Sequence, residues 1–226
     1  KEYSKFIETN YKPKLQEPED LLYEFEEMRF QKKHHEYWNK GELTEDFLRN
    51  NDIYAASKFS INKKVIEIPN DQMCFVYIPK DLPYGKLKIM RIGAPIEDKW
   101  RTNISNFYLW DYSNYSKKVE KLIVCKARKD EMIMKLLGYN TISVQSENWQ
   151  ILDINMEKIY NICDNPIILF GSDKDGVNKC KIVQQKYNCG YYNTPKSLLP
   201  DVNDPFSMVS IKGLRQLERH LKSKNI

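Results

Sequence analysis

The stretch LIVCKARKDEMIMKLLGYNTISVQSEN, residues 122–148, decides how this chain is read. It opens with an apolar run ending at Cys125 and crosses a tight charged patch, Lys126 to Asp130. It then becomes amphipathic up to Gly138-Tyr139 and enters a second apolar run at 141–144. A short β-rich run, a segment of helical period and another short β-rich run predict a strand, a helix and a strand. The alternation continues downstream. Strands are predicted over 119–125, 139–145 and 165–171, with 190–195 short and extended; helices are predicted over 128–138, up to 164, over 176–187 and over 207–223. That order implies a mostly parallel sheet flanked by helices.

Upstream the character changes. Residues 58–70, 72–80 and 85–93 show β-branched and aromatic alternation broken by Pro, Gly and Asn, which predicts a small antiparallel, meander-like sheet. Residues 98–118 follow, rich in aromatics interleaved with Lys and Arg. Residues 1–58 read as helical: Leu21, Leu22, Phe25, Met28 and Phe30 fall near helical spacing, with acids early and bases late. A second short helix is expected after Thr44, a plausible N-cap, with Phe47 and Leu48 inward. The expected organisation is a helical N-terminal region (1–58), a small mixed-sheet basic subdomain (59–118) and an α/β domain (119–226). There is no internal repeat.

The bulk numbers bound the function classes. The chain has 226 residues, 41% of them apolar, with 8 Gly and 10 Pro, so it has a core and is neither linker nor low-complexity protein. The net charge of +5 suits a polyanionic partner without demanding one. Cys74, Cys125, Cys163, Cys180 and Cys189 have no CxxC spacing and lie far from His34, His35 and His220, which argues against zinc. They read as buried, reduced thiols of a cytoplasmic protein. His34 and His35 are expected on the surface. No run is long enough to span a membrane. Residues 1–14 lack the apolar stretch of a secretory signal, and the start without Met suits a piece of something longer.

In open α/β sheets, chemistry gathers at the C-terminal ends of the strands. The first strand there delivers Lys126, Lys129 and Asp130, the second Gln145, Ser146 and Glu147, and the third Ser172, Asp173, Asp175 and Gly176. Acids from three strand ends at one rim suit Mg²⁺, which takes carboxylate oxygens and keeps waters. The competing reading is that Asp173 caps the following helix and that the others are turn residues.

Together, LIVCKARKDEMIM, GYNTISVQSEN, IILFGSDKDG and LLPDVNDPFSM resemble the Toprim domain found in DnaG-type primases, topoisomerases and some nucleases. Residues 73–112 resemble the basic subdomain that precedes Toprim in primases, with Lys99, Trp100 and Asn103 on its Lys-aromatic-x-x-Asn segment. Residues 34–53 resemble the helical opening of phage-type primases. The resemblance thus implies a phage-like DnaG-type primase core. Carried over position by position, the family's first Glu falls on Lys126 and its Gly on Ala127, while its Asp is kept as Asp130. In the second motif the first Asp falls on Gly171, the second is kept as Asp173 and the Gly as Gly176. The Asp-Pro motif is kept as Asp204 and Pro205.

What the resemblance implies is nucleotidyl transfer: short RNA primers made on single-stranded DNA from nucleoside triphosphates, with Mg²⁺ or Mn²⁺ and no zinc in this chain. A replicative helicase is a further candidate partner, and no membrane is involved. Asp130, Asp173 and Asp204 are expected at the metal, with Asp175 and Glu147 in reserve and Lys126 at the catalytic rim. Arg128, Lys129 and Lys174 are expected on the triphosphate. Lys88, Lys99 and Arg101, with Asn103, are expected along the template, and Trp100, Phe107 and Tyr108 stack bases or pack in the core. An ammonium at Lys126 repels a metal where a carboxylate would bind it, but can hold a phosphate. Two alternatives stay open: a degenerate Toprim module that binds nucleic acid without polymerising, and a Toprim nuclease, against which the upstream primase-like segment argues.

Overall fold

The computed structural model describes residues 21–145, 149–187, 189–193, 202 and 204–226. Its first layer is an antiparallel sheet. Strands β1 (Tyr23–Met28), β2 (Ile53–Ile61), β4 (Met73–Tyr77), β5 (Lys88–Ile92) and β6 (Trp100–Thr102) lie in that order, and β3 (Lys64–Glu67) pairs with β2. Asn62 and Lys63, both at positive φ, form the two-residue turn from β2 to β3, matching the right-handed twist of the strands. The meander expected over 59–118 is present, and it begins earlier, inside the region read as helical.

Residues 23–28 correct the sequence reading, for they form an edge strand paired with β2 from Tyr23↔Ile61 to Met28↔Ala55. Tyr23 is buried, Glu24 exposed and Phe25 half-buried, which is a period of two. A register shift between Glu26 and Glu27 then turns both glutamates to solvent. That bulge breaks the alternation and mimics helical spacing. Helix α1 starts only at Lys32 (Lys32–Asn39). His34 is also corrected: it is buried rather than on the surface. Its Nδ1 accepts from Gln31 N at 2.9 Å, capping α1, and burial together with nearby Lys33 pulls its pKa down to about 4. Helix α2 (Glu45–Asn50) is capped by Thr44, whose hydroxyl accepts from Phe47 N at 3.2 Å, and Leu48 is buried as expected.

The second layer is a parallel sheet in the order β10 (Gly190–Asn193), β9 (Ile167–Phe170), β7 (Ile123–Cys125), β8 (Thr141–Ser143). Helices α3 (Arg128–Leu136), α4 (Trp149–Ile162) and α5 (Lys174–Tyr187) make the crossovers. Residues 207–223 form two helices rather than one. Gly213, at φ +80, separates α6 (Pro205–Lys212) from α7 (Leu214–Ser223), and Leu214 N donates to Glu42 Oε1 at 2.8 Å. A glycine at that φ stops α6 at no steric cost.

The central strands β7 and β9 are apolar on both faces, as strands covered on both sides require. Ile123, Cys125 and Leu169 pack with Trp38, Phe75, Trp110 and Phe206 into a core shared with the antiparallel sheet. Val124, Ile142, Ile168 and Phe170 pack with Ile159, Cys163, Cys180 and Val183 beneath α4 and α5. Each such side chain contributes about 1.5–3 kcal/mol of burial. All five cysteines are buried, as read from the sequence, and none is in a disulfide. The shared core fixes the β5–β6 edge of one sheet against the C-terminal ends of β7 and β8, and Trp110 N donates to Ser143 O at 2.9 Å across the junction.

Candidate functional site

Where the two sheets meet there is a cleft of about 490 Å³. One wall is the β5–β6 edge with Tyr77, Lys88, Met90, Trp100 and Thr102; the other is the turn from β7 into α3 with Lys126, Ala127, Arg128 and Lys129, and Gln145 beyond β8. Three lysines and one arginine line it, and among the described residues no carboxylate does. Lys88 spans the junction. Its Nζ donates to Gln145 O (3.2 Å) and Oε1 (2.9 Å) and sits 4.9 Å above the Trp100 ring. Burial lowers the Lys88 ammonium to about 8. Trp100 is 45% exposed on a strand edge, so its indole offers an open apolar face beside a cation.

Behind the lysine wall lie two acids. Asp130, in the first turn of α3, is fully buried. Its Oδ1 accepts from Phe206 N at 3.3 Å, and its Oδ2 has no hydrogen-bond partner. Burial and the adjacent Asp204 charge push its carboxyl up from 3.8 to about 7, against the pull of Lys129 and Lys126. Asp204 caps α6, accepting from Ser207 N at 2.8 Å while its own N–H donates to Ser207 Oγ at 3.0 Å. Lys129 Nζ lies 2.9 Å and Lys126 Nζ 3.7 Å from Asp204 Oδ2. Burial works to raise Asp204, but Lys129, the Ser207 N–H and Lys126 outweigh it and hold the carboxyl below its ordinary value.

The other expected site residues fall elsewhere. Asp173 caps α5: its Oδ1 accepts from Gly176 N at 2.7 Å, the capping geometry weighed against metal binding. Gly176 is required there, because a Cβ would lie 2.2 Å from Gly171 O. Asp175 and Lys174 are exposed on the first turn of α5. Arg128 is nine-tenths buried in an ionic knot with Asp111 (2.7 Å) and Glu131 (2.8 Å), and its guanidinium stacks 5.1 Å from the Trp110 ring. That knot, completed by Lys135 and the Ser143 hydroxyl, was not foreseen, since its acids are far apart in sequence. Asn103 is buried, with its amide donating to Leu21 O and Gly85 O (both 2.6 Å) and accepting from Leu87 N (2.9 Å). It latches β6, is buried, and has no side-chain donor left for a strand of DNA. Lys99 is exposed, and Arg101 is bonded to Asp98. Phe107 packs on the core under α4, and the Tyr108 hydroxyl donates to Asp81. Glu147 lies outside the described residues.

No three His, Cys, Asp or Glu among the described residues come together to hold a metal ion. Of the expected Mg²⁺ or Mn²⁺ donors that are described, Asp130 and Asp204 lie near one another, but Asp204 is held by two ammoniums and Asp130 is sealed, while Asp173 caps a helix. The donor set therefore fits an anion at the rim better than a resident cation. Among the described residues no helix is long and apolar enough to cross a membrane.

No family model matches the chain, and no curated protein matches it. Solved structures do. The primase fragment of the bacteriophage T7 primase-helicase superimposes with a TM-score of 0.59 at 13% identity, over 80% of this chain and 71% of that one. The catalytic domain of DnaG primase bound to single-stranded DNA matches with a TM-score of 0.56 at 12% identity, over 85% and 71%. The zinc-binding and RNA polymerase domains of Aquifex aeolicus primase match with a TM-score of 0.59 at 13% identity, over 85% and 56%. The fold is that of a primase catalytic core. Its antiparallel and parallel sheets are thus the scaffold expected from the resemblance.

Proposed function

We propose that the chain is a DnaG-type, phage-like primase core that holds a single-stranded DNA template and a nucleoside triphosphate in the basic cleft and makes short RNA primers for DNA replication. The observation that carries this reading is the cleft itself. Lys88, Lys126 and Lys129 line it beside an open indole, at the C-terminal ends of parallel strands, in a primase fold. Phosphate oxygens meet the lysines and a base stacks on Trp100. Lys126 stands where the resembled family has Glu, and here it strengthens the anion site. Magnesium or manganese enters this proposal only as a partner carried in on the triphosphate, where it neutralises phosphate charge. The residues of this chain bind and orient; a helicase partner and a cytoplasmic location belong to the same reading.

A second reading is supported by a specific observation, the double ion pair of Lys126 and Lys129 on Asp204. It makes the chain a Toprim-like module that binds nucleic acid without polymerising. Primer synthesis de novo on single-stranded templates, with Mg²⁺ or Mn²⁺, separates the two. Product from the wild type that is lost in Lys129→Ala supports polymerisation. Tight template binding with no product under either metal sinks it and leaves the second reading.

A further inference from the structure

The rim at the end of β7 has an unusual order of charge. Counted from the cleft, among the described residues, ammoniums come first and carboxylates second. Lys126 and Lys129 line the cleft, while Asp204, one-tenth exposed, and Asp130, fully buried, stand behind them. Asp204 is held in place by its own capping box, so the carboxylate is fixed and the lysines are aimed by it. An ammonium has three donors, so one that bonds a carboxylate can hold a phosphate oxygen as well. A cation approaching from the cleft meets like charge first; a polyphosphate meets opposite charge first.

We propose that Lys126 and Lys129, positioned by Asp204, form a polyphosphate site that takes the triphosphate of a nucleotide without any divalent cation. The inference rests on the reading that a nucleotide enters this cleft and adds what recognises its phosphates. Lys126 and Lys129 touch the ligand; Asp204 is a positioning residue. The site reads phosphates and not the base, because the groups at this end of the cleft are ammoniums while the stacking face belongs to Trp100 on the opposite wall.

The test is calorimetric titration of the whole chain with ATP and with inorganic triphosphate, each in EDTA and in magnesium, at constant ionic strength. The wild type is expected to bind both ligands equally well in the two conditions. Lys126→Glu, which places an acid at the rim, is expected to weaken binding in EDTA by about 30-fold, with part of the loss recovered in magnesium. Lys126→Gln, which removes the charge without adding an acid, should lose less and recover nothing in magnesium. Melting curves and binding of a single-stranded oligonucleotide report on folding, and a purely structural role for Lys126 would not produce a loss that depends on magnesium. Wild-type binding seen only in magnesium overturns the inference and leaves the proposed function standing. No triphosphate binding in either condition, by a folded chain that still binds the oligonucleotide, overturns both the inference and the placement of a nucleotide in the cleft.

Discussion

Replacing Trp100 with alanine separates stacking from charge in the cleft. Tryptophan buries about 150–250 Å² when covered, and the 45% exposure of Trp100 leaves about 90 Å² of indole open. At about 25 cal/mol per Å², complete cover by a base would contribute about 2 kcal/mol. Only one face is open, because Lys88 stands 4.9 Å over the ring and Tyr77 lies 6.4 Å away, so about 1–2 kcal/mol is expected. Trp100→Ala should therefore weaken binding of a single-stranded oligonucleotide by about 5- to 30-fold at every salt concentration. The salt slope should not change, since no phosphate contact is lost. Lys88→Met should do the opposite, lowering the slope by about 0.7 as one released counterion disappears. Because burial brings the Lys88 ammonium down to about 8, the wild-type slope should fall by about the same amount between pH of about 7 and about 9. Fluorescence anisotropy of a labelled oligonucleotide over a salt series gives both quantities. If Trp100→Ala binds like wild type, or if it alters the slope while Lys88→Met does not, the placement of the strand in this cleft is refuted.

Other outcomes follow from single contacts. Asn103→Ala removes three hydrogen bonds from a buried site and should cost about 2–4 kcal/mol in chemical denaturation, with oligonucleotide affinity per folded molecule unchanged; a selective loss of affinity would return Asn103 to the interface. Gly176→Ala puts a methyl 2.2 Å from Gly171 O, so α5 must shift and the melting temperature should fall by several degrees; an unchanged melting curve would show that the approach is not close. Asp130 carries a folded-state pKa of about 7 against an ordinary 3.8, so its stabilising neutral form is fully present below pH of about 4 and is lost as the pH rises through about 7, a difference of about 4 kcal/mol. Asp130→Asn, in EDTA, should therefore be more stable than wild type at pH of about 8 and show a smaller advantage at about 5; parallel pH profiles would mean that Asp130 does not titrate in this window.

How much of this was legible in the sequence depends on the range over which each signal acts. The parallel sheet was readable because β7, α3, β8, β9 and α5 each carry their own period, and a strand buried on both faces stays apolar throughout. β1 was not readable, because the bulge at Glu26–Glu27 inserts an outward residue and removes the local alternation. The Thr44 cap was visible, being a signal spaced over three residues, and so was the competing role of Asp173 as a cap. The knot of Arg128, Asp111, Glu131 and Lys135 was invisible. Its pairing of Arg128 with Asp111 depends on the fold bringing two elements together, and nothing local distinguishes a buried arginine from one waiting for phosphate. Asn103 shows the same limit: motif position marked it, and only the structure shows that its amide is spent on backbone.

Lys126 ties these observations together. An acid at this position would stand beside Asp130 and Asp204, and three carboxylates at one rim would repel one another unless a cation bound there. With lysine, the rim is neutralised by the chain itself, through Lys126 and Lys129 on Asp204. The site then no longer needs a metal to be stable, and the constraint that keeps an acid at the end of β9 is relaxed, since a ligand at Gly171 would have no cluster to complete. The two departures from the resembled family, at Lys126 and Gly171, thus read as one change of charge logic rather than two independent losses. Gly171→Asp alone should therefore not create metal affinity, whereas Gly171→Asp with Lys126→Glu should. Manganese binding followed by electron paramagnetic resonance measures it, and manganese bound by the single Gly171→Asp variant would show that the lysines do not govern the rim.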